Sequence, residues 1–235
     1  MSKKQIKTVD ELIDKLDNEL AWRKKEIIQA NLLISSNVEN TPLSFTQKSS
    51  ILIIYANWEG FINKAANYYA MFVFSQNIPL IFLKTGFLEI KLQQKRYFDD
   101  LMISKKQVVR KRFLDNLNKE LYSKDIPRFE DTLGKRYIST DSNLSSKLFE
   151  NILELLGIDS SRFLTRANFI DSVLLSYRNS LAHGERGYEI VLEDFDEVAH
   201  YILKLMDTFK DSLIDSAIRK DYIRKLDKSH ETNFI

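Results

Sequence analysis

The segment Ile51-Leu52-Ile53-Ile54-Tyr55-Ala56-Asn57-Trp58-Glu59-Gly60-Phe61-Ile62 is the stretch of the sequence that decides the fold. Apolar residues continue from it to Phe74, so a helix here would be apolar on nearly every side. Such a helix needs packing partners all round, which indicates a central position in the core. Ser44 is suited to cap its beginning and Pro79 follows its end, so we predict a helix from about residue 44 to about residue 76.

A glycine, Gly60, stands within this apolar segment. Glycine inside a helix costs about 1 kcal/mol relative to alanine. Its presence therefore predicts that another helix approaches the central helix closely at this point. Glu59, the residue before it, places a carboxylate in the same apolar surroundings, where a buried charge needs a partner.

Helical periodicity recurs on both sides of the central helix. The segment 80–140 has helical patterns and then a less regular stretch, and we interpret it as a helical insertion or connector. A short strand candidate occupies residues 188–192. These features predict one all-α domain over residues 1–235, an antiparallel helical bundle with a helical insertion in the middle at residues 80–140. The other predicted helices cover residues 9–34, 80–101, 105–121, 144–156, 160 or 161 to 183, and 194–214. Thr8 or Asp10 would cap the first of them. Asp141-Ser142-Asn143 would cap the helix over 144–156, and Gly157 would end it.

The composition excludes several classes of protein. Only 6 Gly and 3 Pro are present, too few for the turns of a many-stranded sandwich or barrel. The hydrophobic fraction of 44% is sufficient for a packed core. The lack of cysteine excludes disulfides, cysteine-based zinc sites and a thiolate nucleophile. No segment has the pattern of a signal peptide or a membrane span, so we expect a cytoplasmic protein without membrane attachment.

The segment Tyr177-Arg178-Asn179-Ser180-Leu181-Ala182-His183-Gly184 carries the candidate chemistry. Asn179 and His183 are four residues apart and share a face of a helix, which Gly184 would end. Histidine exchanges protons near neutral pH, and arginine offers a fork of donors that fits phosphate oxygens. Arg178, Asn179 and His183 therefore suit metal-free cleavage of RNA. The alternative at this point is that His183 caps the last carbonyls of the helix.

The same residues resemble the signature of the HEPN superfamily, which is an arginine, a polar residue directly after it and a histidine a few residues later. Arg178, Asn179 and His183 match that signature one for one. Residues 55–62 resemble the bacterial MAE-type HEPN subfamily, as does Ser142-Asn143-Leu144 ahead of residues 155–158. The segment 80–140 carries no motif that aligns with the family.

The resemblance implies a helical bundle that dimerises around a metal-independent endoribonuclease site, with Arg178, Asn179 and His183 as the catalytic residues. Each chain supplies one arginine and one histidine, so two copies facing each other across a dimer axis would complete the site. Such proteins often belong to toxin–antitoxin or antiphage defence systems, so the expected partners are RNA, a second copy and an antitoxin or other defence protein. The alternative is a non-catalytic HEPN module that binds a partner protein, RNA or a nucleotide.

Two residues outside the signature are predicted to orient its side chains. Glu59 is expected to pair with Arg178 or His183, and Tyr177 to form a hydrogen bond at the same place. The alternative for Glu59 is that it faces a groove or solvent. The remaining histidines have no companions at metal-ligand spacing, so neither a metal nor a cofactor is expected.

A basic cluster extends from Lys91 to Arg112, although the net charge of the chain is only +2. Basic residues on one helix face bind nucleic-acid phosphates, but they are also common on ordinary solvated faces. Both interpretations stay open. Within the cluster, the residues predicted to contact RNA are Lys105, Lys106, Arg110 and Arg112.

Overall fold

The computed structural model of the chain describes residues 5–36, 43–94, 106–123, 138–140, 143–163, 170–175, 178–179 and 192–225. These ranges are mainly helical, and the only β pairing within them is a single bridge between Leu83 and Ile223. The prediction of an all-α fold is therefore confirmed. The helices are α1 (Val9–Ser36), α2 (Leu43–Ser75), α3 (Thr85–Gln94), α4 (Gln107–Leu121), α5 (Ser146–Leu156) and α6 (Leu192–Arg219), with 3₁₀ turns at Leu80–Phe82 and Ser160–Arg162 and a π-helix at Ile170–Leu175.

Helix α1 begins with a capping box. The Thr8 hydroxyl accepts a hydrogen bond from the backbone N–H of Glu11 at 3.1 Å. The Glu11 carboxylate in turn accepts from the backbone N–H groups of Lys7 at 2.8 Å and Thr8 at 3.4 Å. These bonds satisfy donors that the first turn of a helix would leave unpaired. Of the two caps predicted, Thr8 and Asp10, the helix uses Thr8.

Helix α2 is the central helix, and α1 and α6 both pack along it. Its side chains Trp58, Phe61 and Tyr69 are fully buried, as the all-round apolar pattern predicts. Burial of one such side chain contributes about 1.5–3 kcal/mol of stabilisation. None of the described helices combines the length and apolarity needed to cross a lipid bilayer.

An aromatic cluster connects α2 with α5 and α6. The Phe149 ring of α5 lies 5.1 Å, centroid to centroid, from Trp58, 5.4 Å from Phe163 and 5.5 Å from Phe209. All three contacts are edge-to-face, a geometry worth about 0.5–1.5 kcal/mol per pair beyond the buried area. The cluster fixes Phe163, which follows α5, against the core.

Gly60 was predicted to allow another helix to approach closely, but the group that lies against it is the end of the Arg23 side chain of α1. A Cβ atom at position 60 would overlap Nη1 of Arg23. The Arg23 guanidinium is buried there, with bonds to Glu19 at 2.7 Å and 2.9 Å and a longer contact of 3.4 Å to the Asn57 carbonyl. Glycine therefore makes room on α2 for a buried cation.

The beginning of the segment 80–140 is packed against the bundle, whereas α4 packs against α3 and the 3₁₀ turn at Leu80–Phe82. Gly86 of α3 lies so close to α5 that a Cβ atom there would overlap the Leu155 carbonyl oxygen. The backbone N–H of Lys84 donates to the Tyr222 carbonyl at 2.9 Å, just after α6. The description of this segment as an insertion stays a prediction, because packing alone does not separate an insertion from a part of the common core.

One predicted helix begins later than expected. The helix predicted over 144–156 starts at Ser146, and its cap is Ser145, whose hydroxyl accepts from the Leu148 N–H at 3.1 Å. The prediction of a cap at residues 141–143 was therefore wrong, because Leu144 is buried beside α2 before the helix begins. The end was predicted correctly, since Gly157 adopts the left-handed φ of 68° that favours glycine.

A continuous helix was predicted from residue 160 or 161 to residue 183. This prediction is wrong at its beginning, in the residues that the structure describes. Ser160–Arg162 forms a 3₁₀ turn, where the Asp159 carboxylate accepts from the Ser161 N–H at 3.0 Å, and Phe163 turns into the aromatic cluster. Further along, Ile170–Leu175 is π-helical. The last helix begins at Leu192, two residues before its predicted start, and residues 188–191 of the strand candidate lie outside the described residues.

Candidate active site

The Arg178 side chain lies beside the central helix. Arg178 and Asn179 are both half-buried and helical, and Nη1 of Arg178 donates to Oδ1 of Asn179 at 3.0 Å. The guanidinium carbon of Arg178 is 5.5 Å from the centroid of the Tyr55 ring on α2. The structure therefore brings together the two segments quoted from the sequence. His183 and Tyr177 lie outside the described residues.

Tyr55 is held by both its ring and its hydroxyl. The residue is 4% exposed, and its hydroxyl accepts a hydrogen bond from the backbone N–H of Leu144 at 2.6 Å. Burial raises the pKa of Tyr55 to about 12, and the charge of Glu59 adds to the rise, while the Leu144 hydrogen bond and the Arg178 charge oppose it. Tyr55 is therefore a neutral phenol at physiological pH.

Glu59 lies one helical turn after Tyr55 and is half-buried. Its carboxylate accepts a hydrogen bond from the Thr140 hydroxyl at 2.8 Å. Asn67, two turns further along α2, holds the same short segment, because it donates to the Ile138 carbonyl at 2.9 Å and accepts from the Ile138 N–H at 3.1 Å. The polar residues of α2 thus fix residues 138–140 beside the candidate site. The pairing of Glu59 with Arg178 or His183 stays a prediction.

The π-helix ahead of Arg178 is attached to the beginning of α5. The Asp171 carboxylate accepts from the backbone N–H of Ser146 at 2.7 Å and also from the Ser146 hydroxyl. A carboxylate at the first turn of a helix is favourable, because unpaired N–H groups give that end a partial positive charge. Single π-helical turns inside helices are frequent at functional sites. Asp171 therefore ties the π-helix to the beginning of α5.

The sequence pattern of the RiboL-PSP-HEPN family matches residues 18–215, which is well over half of the chain. The chain belongs to the RiboL-PSP-HEPN family. The match spans both the central helix and the Arg178 motif, and it agrees with the resemblance to the HEPN superfamily; the MAE-type subfamily is a finer assignment that it does not reach. Neither a curated protein nor a solved structure matches the chain.

The basic cluster of this RiboL-PSP-HEPN chain is divided between the core and the surface. Lys106, Arg110 and Arg112 are exposed along α4, whereas Lys105 lies outside the described residues. Lys91 is only 1% exposed, and its Nζ is 3.6 Å from Oε2 of the buried Glu120. Lys91 is therefore not available to a phosphate, and the expectation of one basic surface from residue 91 to residue 112 is corrected at that residue.

Two contacts of the site were not predicted from the sequence. Tyr55 occurs in the quoted segment of α2, but an aromatic residue in an apolar helix is usually part of the core, and nothing in its spacing indicates a contact with Arg178. Nothing in the sequence around Thr140 indicates its hydrogen bond to Glu59, because that bond depends on where the folded chain returns to α2. In this RiboL-PSP-HEPN fold the two buried residues place hydrogen-bonding groups beside Arg178 and Glu59 on α2. A partly exposed arginine can bind an anionic group such as a phosphodiester.

Proposed function

We propose that this RiboL-PSP-HEPN protein is a metal-independent endoribonuclease that acts as a homodimer. The single observation that carries the proposal is the position of Arg178, which is half-buried, bonded to Asn179 and set against the ring of Tyr55. Arginine held in this way is suited to a phosphate whose charge increases during the reaction. Family membership supports a role in RNA or nucleotide chemistry without specifying the reaction.

In the proposed reaction the 2′-hydroxyl of the RNA attacks the adjacent phosphorus. His183 accepts the proton of that hydroxyl, and a new bond from the 2′-oxygen to phosphorus forms as the bond to the 5′-oxygen breaks. His183 of the second copy donates a proton to the departing 5′-oxygen. Arg178 stabilises the charge on the phosphate oxygens throughout. The products are a 2′,3′-cyclic phosphate and a free 5′-hydroxyl.

An apolar surface beside the site supports the dimer. The bonds from Ser50 to the Ala30 carbonyl and from Asn57 to Glu26 show that the end of α1 runs along the beginning of α2. Large apolar side chains are exposed on both helices there, and Leu52 is one helical turn from Tyr55. Several large apolar side chains exposed on neighbouring helices are a feature of protein interfaces. The exposed side chains are Ile28, Leu32, Leu33, Leu52 and Ile53.

We further propose a cytoplasmic toxin–antitoxin or antiphage defence setting, with an antitoxin or other defence protein as a partner. The support is the resemblance of residues 55–62 and 142–144 to the MAE-type HEPN subfamily. Expression of the wild-type chain should then arrest growth, and expression of His183→Ala in its place should not.

The direct test uses the purified protein, RNA of defined sequence and excess EDTA. Cleavage should continue in EDTA and leave 2′,3′-cyclic phosphate ends, which a phosphatase does not remove until acid opens the ring. Products with 5′-phosphates, or activity that EDTA abolishes, would contradict the mechanism.

A non-catalytic module that binds RNA is the second candidate function. The exposed bases Lys106, Arg110 and Arg112, at the beginning of α4, favour it, because exposed cations can bind RNA phosphates without any catalysis. This function predicts RNA binding that Arg178→Ala leaves unchanged and no cleavage by the wild type.

A further inference from the structure

We propose that Tyr55 is a positioning residue for Arg178, whose guanidinium it holds against its ring at the site. The inference rests on the proposed function and deepens it, because it identifies the residue of α2 that holds the catalytic Arg178 in position. The two residues are 123 positions apart in the sequence, and the contact between them depends on the fold.

The Tyr55 ring offers a face to the cation. The 5.5 Å between the Arg178 guanidinium carbon and the Tyr55 centroid is within the range of about 6 Å over which a cation is attracted to an aromatic face. Arginine is well suited to such a face because its guanidinium is flat and weakly hydrated. The side-chain bond to Asn179 restricts the same guanidinium from another direction. Two contacts from separate helices therefore limit the positions that it can adopt.

The Tyr55 hydroxyl keeps the ring in place. A buried ring supports a cation only if the ring itself does not move, and the Leu144 N–H donates to the Tyr55 hydroxyl at 2.6 Å. Leu144 is fully buried, and Ser145 next to it caps α5. Movement of the ring would therefore disturb the beginning of a second helix. The phenol stays neutral at physiological pH because burial raises its pKa.

The consequence for the reaction is a pre-positioned cation. An arginine that is free to rotate must be ordered each time a phosphate binds, whereas one held against a fixed ring is already in place. Removal of the ring leaves the charge of Arg178 intact, so the encounter with RNA should change little. The turnover rate should fall instead, because the cation is no longer held where negative charge develops on the phosphate.

The test compares Tyr55→Leu with Tyr55→Phe. Tyr55→Leu should lower kcat by about 10- to 100-fold with little change in KM, the order of effect expected from a misplaced catalytic group. Tyr55→Phe keeps the ring and should recover most of kcat while lowering the melting temperature, because the bond to Leu144 is absent. The matched control is Tyr69→Leu, because Tyr69 is a buried tyrosine of the same helix that is bonded to Ser216 at 2.7 Å instead. All rates are compared at a temperature where circular dichroism shows each variant folded.

A second readout does not depend on activity. In a ¹⁵N-labelled protein, the Nε–Hε signal of Arg178, assigned with Arg178→Lys, should move in Tyr55→Leu because the ring no longer shields it, and should stay in place in Tyr69→Leu. An Arg178 signal that is the same in Tyr55→Leu and the wild type would overturn the inference. So would a kcat for Tyr55→Leu equal to that of Tyr69→Leu, or a Tyr55→Phe as slow as Tyr55→Leu. A wild type that does not cleave RNA overturns the proposed function instead, and the NMR signal still decides whether Tyr55 holds Arg178.

Discussion

The guanidinium of Arg178 lies against the ring of Tyr55, 5.5 Å from its centroid, while the Tyr55 hydroxyl is bonded to the backbone of Leu144. This contact joins the segment that decides the fold to the segment that carries the chemistry. The same helix therefore supplies the centre of the core and one wall of the candidate site. Its packing, its exposed surface and its tyrosines can each be tested separately from the reaction.

The packing of Gly60 against Arg23 predicts that Gly60→Ala destabilises the wild type but stabilises a variant that lacks the Arg23 side chain. Alanine at position 60 gains about 1 kcal/mol of helix propensity, but its Cβ atom must displace the buried Arg23 guanidinium. Gly60→Ala should therefore lower the free energy of unfolding by about 1 kcal/mol, within the usual cost of overpacking. In an Arg23→Ala background the same change should be stabilising. Urea unfolding of the four chains measures the coupling, and equal effects in both backgrounds would contradict the predicted clash.

The exposed side chains of Leu52 and Ile53 predict the dimer interface. Leu52→Glu and Ile53→Glu should each shift the protein from dimer to monomer, because a carboxylate would be buried without a partner in the interface. Sedimentation equilibrium measures the shift. The control is Ile218→Glu, which changes an exposed apolar residue at the end of α6. A wild type that is monomeric at the concentrations where it is active would remove the basis for a shared site.

The exposed basic residues at the beginning of α4 predict salt-dependent binding of RNA. Replacing Lys106, Arg110 and Arg112 by glutamine should weaken binding and make its slope against the logarithm of salt concentration shallower by about 0.7 for each phosphate that these side chains neutralise. Binding of a 2′-O-methyl RNA at several salt concentrations measures this slope without cleavage. The control replaces three exposed lysines elsewhere, Lys15, Lys25 and Lys204. Equal effects of the two triple variants would mean that α4 contributes only general charge.

The buried tyrosines of α2 predict a decrease in stability at alkaline pH. The pKa is raised to about 12 for Tyr55 and is raised by burial for Tyr69 as well. Tyrosines of the unfolded chain ionise near pH ~10, so above that pH the unfolded state releases protons that the folded state keeps. Stability should be complete below about pH 10 and then fall by up to about 1.4 kcal/mol per pH unit for each tyrosine. Thermal unfolding across this range should show a smaller decrease in Tyr69→Phe, and an identical pH dependence in that variant would contradict the assignment.

The sequence predicted the helices whose apolar pattern is regular and missed the features that depend on tertiary contacts. Helix α2 followed from its apolar residues, and Thr8 and Gly157 followed from capping rules. Lys91 was placed in a surface cluster because its neighbours in the sequence are basic, yet its partner Glu120 is on another helix. The 3₁₀ turn after α5 was missed because the apolar residue Phe163 stands at a position that a helix would also bury. In the structure it packs in the aromatic cluster without being part of a long helix.

The candidate site shows the same division. Arg178, Asn179 and His183 were predicted from the family signature, because their order and spacing form a local pattern, and their catalytic role stays a prediction. Tyr55 and Thr140 were not, since their contacts with the site join residues far apart in the chain. His183 is the residue on which the proposed reaction depends most, and its role is still a prediction.

The most direct measurement of the central claim is therefore RNA cleavage in EDTA by the wild type and by His183→Ala. The matched control is His200→Ala, which removes an exposed histidine of α6. The proposed mechanism predicts that His183→Ala lowers the rate by at least about 100-fold, the size of a general acid–base contribution, while His200→Ala cleaves like the wild type. Cleavage by His183→Ala at the wild-type rate would contradict the proposed mechanism.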